Sequence, residues 1–371
     1  ISMKVTPLFE FHKNMNAKFV NFNGWNMPVW FEDLKQEHLH VRSSVGVFDV
    51  SHMGEVEVVG NMAEEFINYT FTNTVSDLND GQARYGFFCN NEGGVIDDVI
   101  IYRLSIDRFF ICVNAGNIAQ VFEWLNSTSV NFDIEVKNLT DFYGQLAIQG
   151  PDAVKCISNL FSSSNIDAIK KYSISSIIEL EDRFKQKLKS PCLNGYNFLI
   201  ARTGYTGEDG FELFVPNEVL PDIYSSLLEQ VKNIKPCGLG SRDTLRLEKG
   251  FPLHGNELSD KLNPIESNLS KFVDFSKPDF IGKNSLELIS QNKTSTLIGF
   301  KMYEKCIPRS GYKIFSNDSE IGYVTSGTFS PSLQEGIGLG VISGNFSEVT
   351  DIEVKIRSDK KKAKRSAYPF V

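Results

Sequence analysis

Residues 90–103 read NNEGGVIDDVIIYR. A polar turn (Asn90, Asn91, Glu92) and a glycine pair (Gly93, Gly94) lead into a run of Val and Ile, the composition of a well-buried strand. Strand side chains alternate between faces, so Ile96, Asp98, Ile100 and Tyr102 share one face and Val95, Asp97, Val99 and Ile101 the other. Both faces are otherwise apolar, and each carries one carboxylate. An unpaired carboxylate taken out of water is costly, and its pKa is driven upward. At least one of Asp97 and Asp98 therefore needs a partner or has a task. Two readings stand open at this point: a functional carboxylate, or an Asp pair that caps the turn or meets an arginine such as Arg103.

Outward from that stretch, residues 82–91 and 94–104 form two strands joined by the glycine turn, a hairpin. Residues 108–114 (RFFICVN) supply a third strand and 117–126 a helix. Upstream, 6–31 is irregular and aromatic, with FNGWNMPVWF at its heart; 31–42 is helical, with Leu34, His38 and Val41 at helical spacing. FDVSHMG, 48–54, begins a strand expected to run on through Val59, and 61–69 reads as a helix. Downstream, 145–149 and 196–202 are strands, with a helix between them that begins near Pro151. Residues 217–233 and 242–249 are helical in character. After the KPDF turn, 280–287 marks a boundary; beyond it short strands alternate with Gly, Ser and Pro turns, as in a small all-β barrel or sandwich. Paired strands alternating with single helices make an α+β layer structure.

The chain of 371 residues is long enough for two or three domains with proper cores. Its formal net charge of -8 argues against general nucleic-acid binding. The one dense basic run, 360–365, reads as a solvated turn and strand edge. Six cysteines (Cys89, Cys112, Cys156, Cys192, Cys237, Cys306) are scattered, without CxxC or a close Cys/His cluster. That pattern suits reduced thiols rather than a disulfide framework or a zinc site, and no metal is expected. No stretch approaches the roughly 20 apolar residues of a membrane span, so no membrane partner is expected. The start, ISMKVTPLFEF, lacks an apolar signal core, and Ile1 and Ser2 before Met3 read as an addition. The expected location is cytoplasmic.

Other motifs carry two readings each. Arg202 to Glu212, RTGYTGEDGFE, places glycines at 204, 207 and 210 beside three acids and a Tyr: a ligand loop, or a tight hairpin without function. His52, in DVSHMG, is either a hydrogen-bonded core histidine or a base. Arg242 and Arg246, four apart on one helix face, either serve a site or make surface ion pairs with Asp243 or Glu248. Gly238-Leu-Gly240 lacks the third glycine of a dinucleotide fingerprint, no P-loop is present, and GIGLG at 336–340 reads as a strand that packs closely.

The set decides more than its members. FNGWNMPVWF, FDVSHMGE, GGVIDDVIIYR, RTGYTGEDGFE, GSRDTLRLEKGFPLHGNE and TSGTFSPSL occur in this order over 6–371. In that, the chain resembles the aminomethyltransferase family, the T-proteins of the glycine cleavage system. The resemblance implies an α+β fold of three domains in a cloverleaf around a central folate channel. Two interwoven antiparallel-sheet α+β domains would fill 1–279, the second spanning roughly 54–140, and a β-barrel domain 280–371. It implies transfer of a one-carbon unit from the aminomethyl group on the lipoyl arm of a carrier, the H-protein, to tetrahydrofolate, with release of ammonia and formation of 5,10-methylenetetrahydrofolate.

By motif, the resemblance makes Asp98 the catalytic residue, hydrogen-bonded to the reacting nitrogen region of folate and managing protons as ammonia leaves. Tyr102 shares its face and would pack on the folate ring. Glu212 would accept two parallel hydrogen bonds from the pterin edge; the alternative is that it braces its own loop through Arg202 or Arg242. Met53, Tyr85, Asn114, Tyr205 and Arg242 would line the same folate channel. His254 and Phe251 stand where relatives often carry Tyr, and the chain's end at PFV leaves out any later folate contact. A folate-binding regulatory relative usually carries a KGCYxGQE-like motif; the stretch here is KGFPLHGNE, without the Cys. A folate-dependent demethylase of the same fold is a further alternative.

Overall fold

The computed structural model describes residues 3–161, 165–184, 186–188, 197–344 and 349–371. Ile1, Ser2, Cys192 and Tyr196, named above, lie outside the described residues. Contacts divide the chain into two units interwoven in sequence. The first holds Ile1–Glu64, Asp77–Arg84 and Ile100–Asp243; the second holds Glu65–Ser76, Tyr85–Val99 and Thr244–Val371.

The first unit is built on two large sheets and a two-stranded hairpin, Lys18–Phe22 with Trp25–Trp30, so the stretch 6–31 expected to be irregular is ordered, with a helix at Phe9–Asn14 before the hairpin. One large sheet has six strands, in the order Ile174–Ser176, Leu199–Ala201, Gly210–Pro216, Tyr143–Gln149, Val45–Asp49, Ile234–Cys237. All neighbours pair antiparallel except the last two, which are parallel. The other sheet has five strands, in the order Ala83–Cys89, Val95–Ser105, Arg108–Val113, Gly54–Val59, Glu135–Asn138. The hairpin end of its first two strands, 85–99, counts with the second unit.

Register decides what each sheet presents. Across one sheet Ile100, Cys112 and Glu55 stand in a row, and Tyr102, Phe110 and Glu57 in the next. Across the other, Ala201, Glu212 and Ala147 form a row, and Leu199, Phe214 and Gln145 the next. The apolar members of these rows pack together: Tyr102, Phe110, Cys112, Leu199, Ala201 and Phe214 form one buried cluster with Tyr143. Phe110 meets Tyr143 and Phe214 edge-on, at 5.5 and 5.1 Å between ring centres, the geometry aromatic quadrupoles favour. The reverse face of the six-stranded sheet carries Leu146, Ile148, Phe211, Leu213 and Val215. It packs on the helices Ala153–Leu160, Ile178–Phe184 and Leu220–Gln230. The central strand Gly210–Pro216 is thus buried on both faces along its whole length.

FDVSHMG does not begin a strand running through Val59. Two strands form, Val45–Asp49 and Gly54–Val59, in different sheets. The break is made by Asp49, whose carboxylate accepts from Thr6 Oγ1 at 2.6 Å, His12 Nε2 at 2.8 Å and the Ser51 N–H at 3.0 Å. A side chain that bonds the backbone two residues on competes with ladder pairing. The chain then turns, with the Met53 N–H on the Val50 carbonyl.

In the second unit the turn at 90–94 closes through the Asn90 side chain, which accepts from the Gly94 N–H at 2.8 Å. Gly93 sits at φ +87°, open to glycine at no steric cost. Further along, a closed barrel runs Ser295–Met302, Gly336–Ser343, Ser319–Phe329, Lys313–Ser316, Asp351–Ile356, Asp359–Ser366. The glycines of GIGLG allow close packing: a Cβ on Gly338 would lie 2.4 Å from the Phe300 ring. The basic run 360–365 lies on a strand paired on both sides, so it is not the strand edge expected of it. Closure removes the edge, and Lys360 and Lys361 pair with Asp318 and Glu304. The fold is α+β with a closed six-stranded barrel in the C-terminal part.

Gly94 is the tightest point of the turn: an added Cβ would fall 1.8 Å from the Asp260 carbonyl oxygen. Gly94→Ala is expected to cost about 1–3 kcal/mol. A thermal melt beside Gly311→Ala, where φ is +84° but the space is open, should show the larger loss for Gly94→Ala.

Candidate functional site

The row that holds Glu212 is polar in an otherwise apolar layer. Glu212 is buried, and both its oxygens are engaged. Oε2 accepts from Thr203 Oγ1 at 2.5 Å and Oε1 from Gln145 Nε2 at 2.9 Å. Thr203 has a single hydroxyl proton, spent on Glu212, so the contact at 3.1 Å from Tyr102 must be donated by the Tyr102 hydroxyl. The Cys112 thiol donates to Gln145 Oε1 at 3.7 Å. Every donor in this chain points toward Glu212. Burial first, then the charge of Glu212, raises the Tyr102 hydroxyl and the Cys112 thiol well above their ordinary pKa values, so both stay protonated. Each carboxylate oxygen keeps a further lone pair, so Glu212 can still receive two donors side by side.

Arg242 lies on the helix Leu239–Glu248, its guanidinium 4.9 Å from the centre of the Tyr205 ring, a cation–π contact. Burial lowers its pKa, opposed by Glu212 and Tyr205. Its Nη1 is buried without a hydrogen-bond partner. Two more polar groups of this unit share that condition. His52 is buried edge-on to Phe22, and its Nδ1 meets no partner. Burial, reinforced by Arg242 and partly offset by Asp49, lowers its pKa to about 4, so it is a neutral imidazole. Glu55 is fully buried with both oxygens unmet, and burial raises its pKa well above the ordinary range.

Met53 and Asn114 flank the paired residues Gly54 and Val113 at one end of the five-stranded sheet; Met53 packs on the cluster that contains Tyr102 and Cys112. Arg202 does not brace Glu212: it pairs bidentately with Asp209, at 3.1 and 2.6 Å. Arg246 is buried rather than on the surface. It meets Glu257 at 3.2 Å and Ser326 Oγ at 2.8 Å, and Glu248 binds Ser330 and Ser332.

In the second unit Asp98 is half-buried, and its Oδ2 accepts from the Tyr85 hydroxyl at 2.9 Å. The Tyr85 ring is fixed edge-on by Phe272 and Phe87, at 4.8 and 5.5 Å. Asp97 is fully buried. His254 donates from Nε2 to the Val95 carbonyl at 3.1 Å. Arg103 pairs with Glu64 and Asp80, at 2.6 and 3.0 Å.

The structure thus joins Tyr102 to Glu212 through Thr203, sets Arg242 on Tyr205, and sets Tyr85 on Asp98. Gln145, Thr203, Cys112 and Glu55 were not singled out from the sequence. A signal existed for Gln145: in QLAIQ two polar residues four apart share a face of a strand otherwise wholly apolar.

Residues 8–277 match the model of the GCVT N-terminal domain, and residues 296–371 that of the glycine cleavage T-protein C-terminal barrel domain. The chain belongs to the aminomethyltransferase family of glycine cleavage T-proteins. An aminomethyltransferase of Caldanaerobacter subterraneus subsp. tengcongensis is 42% identical over 366 residues, covering 98% of this chain and 94% of its own. One from Geobacillus sp. (strain WCH70) is 42% identical over 373 residues, covering 99% and 98%. The crystal structure of the glycine cleavage system aminomethyltransferase T from Bartonella henselae superposes with a TM-score of 0.90 at 31% identity, covering 100% of this chain and 98% of that one. Among the described residues no group of three His, Cys, Asp or Glu is placed to hold a metal ion. No described helix is long and apolar enough to cross a membrane.

Two measurements check the electrostatics of this T-protein site. Thr203→Val removes the hydroxyl between Tyr102 and Glu212 with little change of shape, and should cost about 1–3 kcal/mol in a denaturant titration. His52 has a folded pKa near 4 against 6.5 unfolded, so the unfolded chain binds the extra proton and stability falls as pH drops from 6.5 toward 4. His52→Gln should lose about 2 kcal/mol less than the parent between pH 6.5 and 4.5, read as a flatter dependence of Tm on pH.

Proposed function

We propose that the chain transfers the one-carbon unit of S-aminomethyldihydrolipoyl H-protein to tetrahydrofolate, releasing ammonia and forming 5,10-methylenetetrahydrofolate. The lipoylated H-protein is its partner and tetrahydrofolate its cosubstrate, in the cytoplasm. The observation that carries the reading is Glu212: a buried carboxylate held by two protein donors, with lone pairs left for two more. A pterin offers an amino group and an adjacent ring N–H side by side, which matches that acceptor pair. Arg242, with an unmet donor, and Tyr205 beneath it would receive the rest of the folate, with Met53, Tyr102 and Asn114 along its path. On this reading residues 1–279 form the folate-binding region and 280–371 the barrel domain.

Asp98 is the catalytic residue in this proposal. Besides the Tyr85 hydroxyl, a carboxylate has acceptor capacity for the N–H at the reacting nitrogen of tetrahydrofolate, which raises that nitrogen's nucleophilicity. Placing the aminomethyl carbon against the nitrogen turns a bimolecular attack into an intramolecular one. Over the whole reaction the carbon forms bonds to two folate nitrogens while its bonds to the ammonia nitrogen and to the lipoyl sulfur break; the two folate N–H protons end on ammonia and on the lipoyl thiol, and a nearby carboxyl can manage their transfer. No covalent enzyme intermediate is required, and the Cys112 thiol, held protonated, is a poor nucleophile.

The test is an assay with aminomethyl-loaded H-protein and tetrahydrofolate that follows ammonia and methylenetetrahydrofolate together. Asp98→Asn should lower kcat by about two to four orders of magnitude with tetrahydrofolate affinity nearly kept, whereas Asp97→Asn should act through stability. Equal losses of kcat at both positions, with folding intact, would refute the assignment. Glu212→Gln should instead raise KM for tetrahydrofolate by the equivalent of about 1.5–3 kcal/mol with kcat little changed; unchanged affinity with a lower Tm would assign Glu212 a bracing role only.

A further inference from the structure

We infer that the helix Leu34–Ser43 acts as a jig for the Arg242–Tyr205 pair, through Glu37 at one end and Arg42 at the other, and that both are positioning residues for folate. This rests on the folate reading of Arg242.

Glu37 is 3% exposed. One of its oxygens accepts from the Phe31 N–H at 2.6 Å and lies 3.3 Å from the Glu32 nitrogen. The other accepts from the Gly238 N–H at 2.8 Å and lies 3.3 Å from Ser241 Oγ. Gly238 immediately precedes the helix Leu239–Glu248, and Arg242 stands in that helix's opening turn, its N–H on the Gly238 carbonyl. The carboxylate therefore caps the helix that carries Arg242 and ties it to the end of the strand Trp25–Trp30. A negative group at a helix N-terminus is favoured by the exposed N–H groups and the helix dipole. The seat is close: a Cβ on Gly238 would fall 2.4 Å from the Val29 backbone.

Arg42, on the same helix, donates from Nη1 to the Thr206 carbonyl at 2.6 Å and to Glu208 at 2.9 Å. Thr206 follows Tyr205 in the chain. One short helix thus holds the base of Arg242 with its first half and the loop of Tyr205 with its last turn. Glu37 and Arg42 thus grip the elements that carry the pair. A guanidinium centred over a ring depends on both placements at once, and a displacement of about 1 Å is enough to change such a site's performance by up to ~100-fold.

In Glu37→Gln an amide NH₂ would replace one acceptor and face N–H donors, so the tie to Phe31 or the tie to Gly238 is lost, and the link between them with it, without a change of size. In Arg42→Met the stem is kept and both contacts to the loop are lost. Arg42→Lys retains one donor and is the milder variant should the others fold poorly. The experiment is a calorimetric titration of tetrahydrofolate into each variant of the full chain, beside steady-state assays and thermal melts. The expected result is about tenfold weaker binding for Glu37→Gln and Arg42→Met, a smaller loss for Arg42→Lys, and kcat within about threefold of the parent. Ile314→Val, a conservative change in the barrel core, should lower Tm and leave binding unchanged. In an Arg242→Met background, Glu37→Gln should add little further loss, because the residue it positions is already gone. Full affinity in Glu37→Gln and Arg42→Met, or an undiminished loss in the Arg242→Met background, would overturn the jig while leaving the folate role of Arg242 standing. Full affinity in Arg242→Met itself would remove that role and the jig with it.

Discussion

A carboxylate buried between two β-sheets has to be met by protein donors, and the first unit is arranged around that demand. Glu212 is met by donors from both sheets and the connecting loop: Gln145 from the neighbouring strand, Thr203 directly, Tyr102 from the opposing sheet at one remove. Removing any one donor would leave a buried acceptor short. The apolar ring contacts of Phe110, Tyr143 and Phe214 hold the two sheets at the spacing this chain of hydrogen bonds needs. Packing and polarity are therefore not competing demands here; the core fixes the geometry that makes the buried charge tolerable.

The same logic divides the titratable groups by state. His52 is kept neutral, the thiol of Cys112 and the hydroxyl of Tyr102 are kept protonated, and Glu55 is pushed toward its acid form. Arg242 retains its charge because a guanidinium is too basic to lose it. Arg242 and Glu212 are thus accompanied by groups that can orient hydrogen bonds but do not readily add charge.

Much of this was legible in the sequence. The glycine turn and alternating Val/Ile run of 90–103 gave the hairpin, and the face shared by Ile100 and Tyr102 is the one that meets Cys112 and Phe110 across the ladder. The change in composition after KPDF announced the barrel. What failed did so for physical reasons. Asp49 ends a strand through Thr6 and His12, residues roughly forty positions upstream, which no local pattern reveals. The basic run 360–365 looked like an edge because charge marks solvent exposure, whereas barrel closure depends on strands distant in sequence. The motifs named Glu212, Arg242 and Asp98; the residues that hold them, Gln145, Thr203 and Glu37, act through tertiary contacts and stayed unnoticed.

The strand order of the six-stranded sheet has a consequence for biosynthesis. Val45–Asp49 emerges from the ribosome before either of its two neighbours, Tyr143–Gln149 and Ile234–Cys237. At ~5–20 residues per second, the second neighbour arrives on the order of ten seconds or more after the first strand is made. Until Tyr143–Gln149 is made, roughly 5–20 s at that rate, the apolar segment VGVF has no ladder partner on either side, and until Ile234–Cys237 follows it has one. Folding of this unit is dominated by pairings between distant parts of the chain, a topology that slows the search and lengthens exposure.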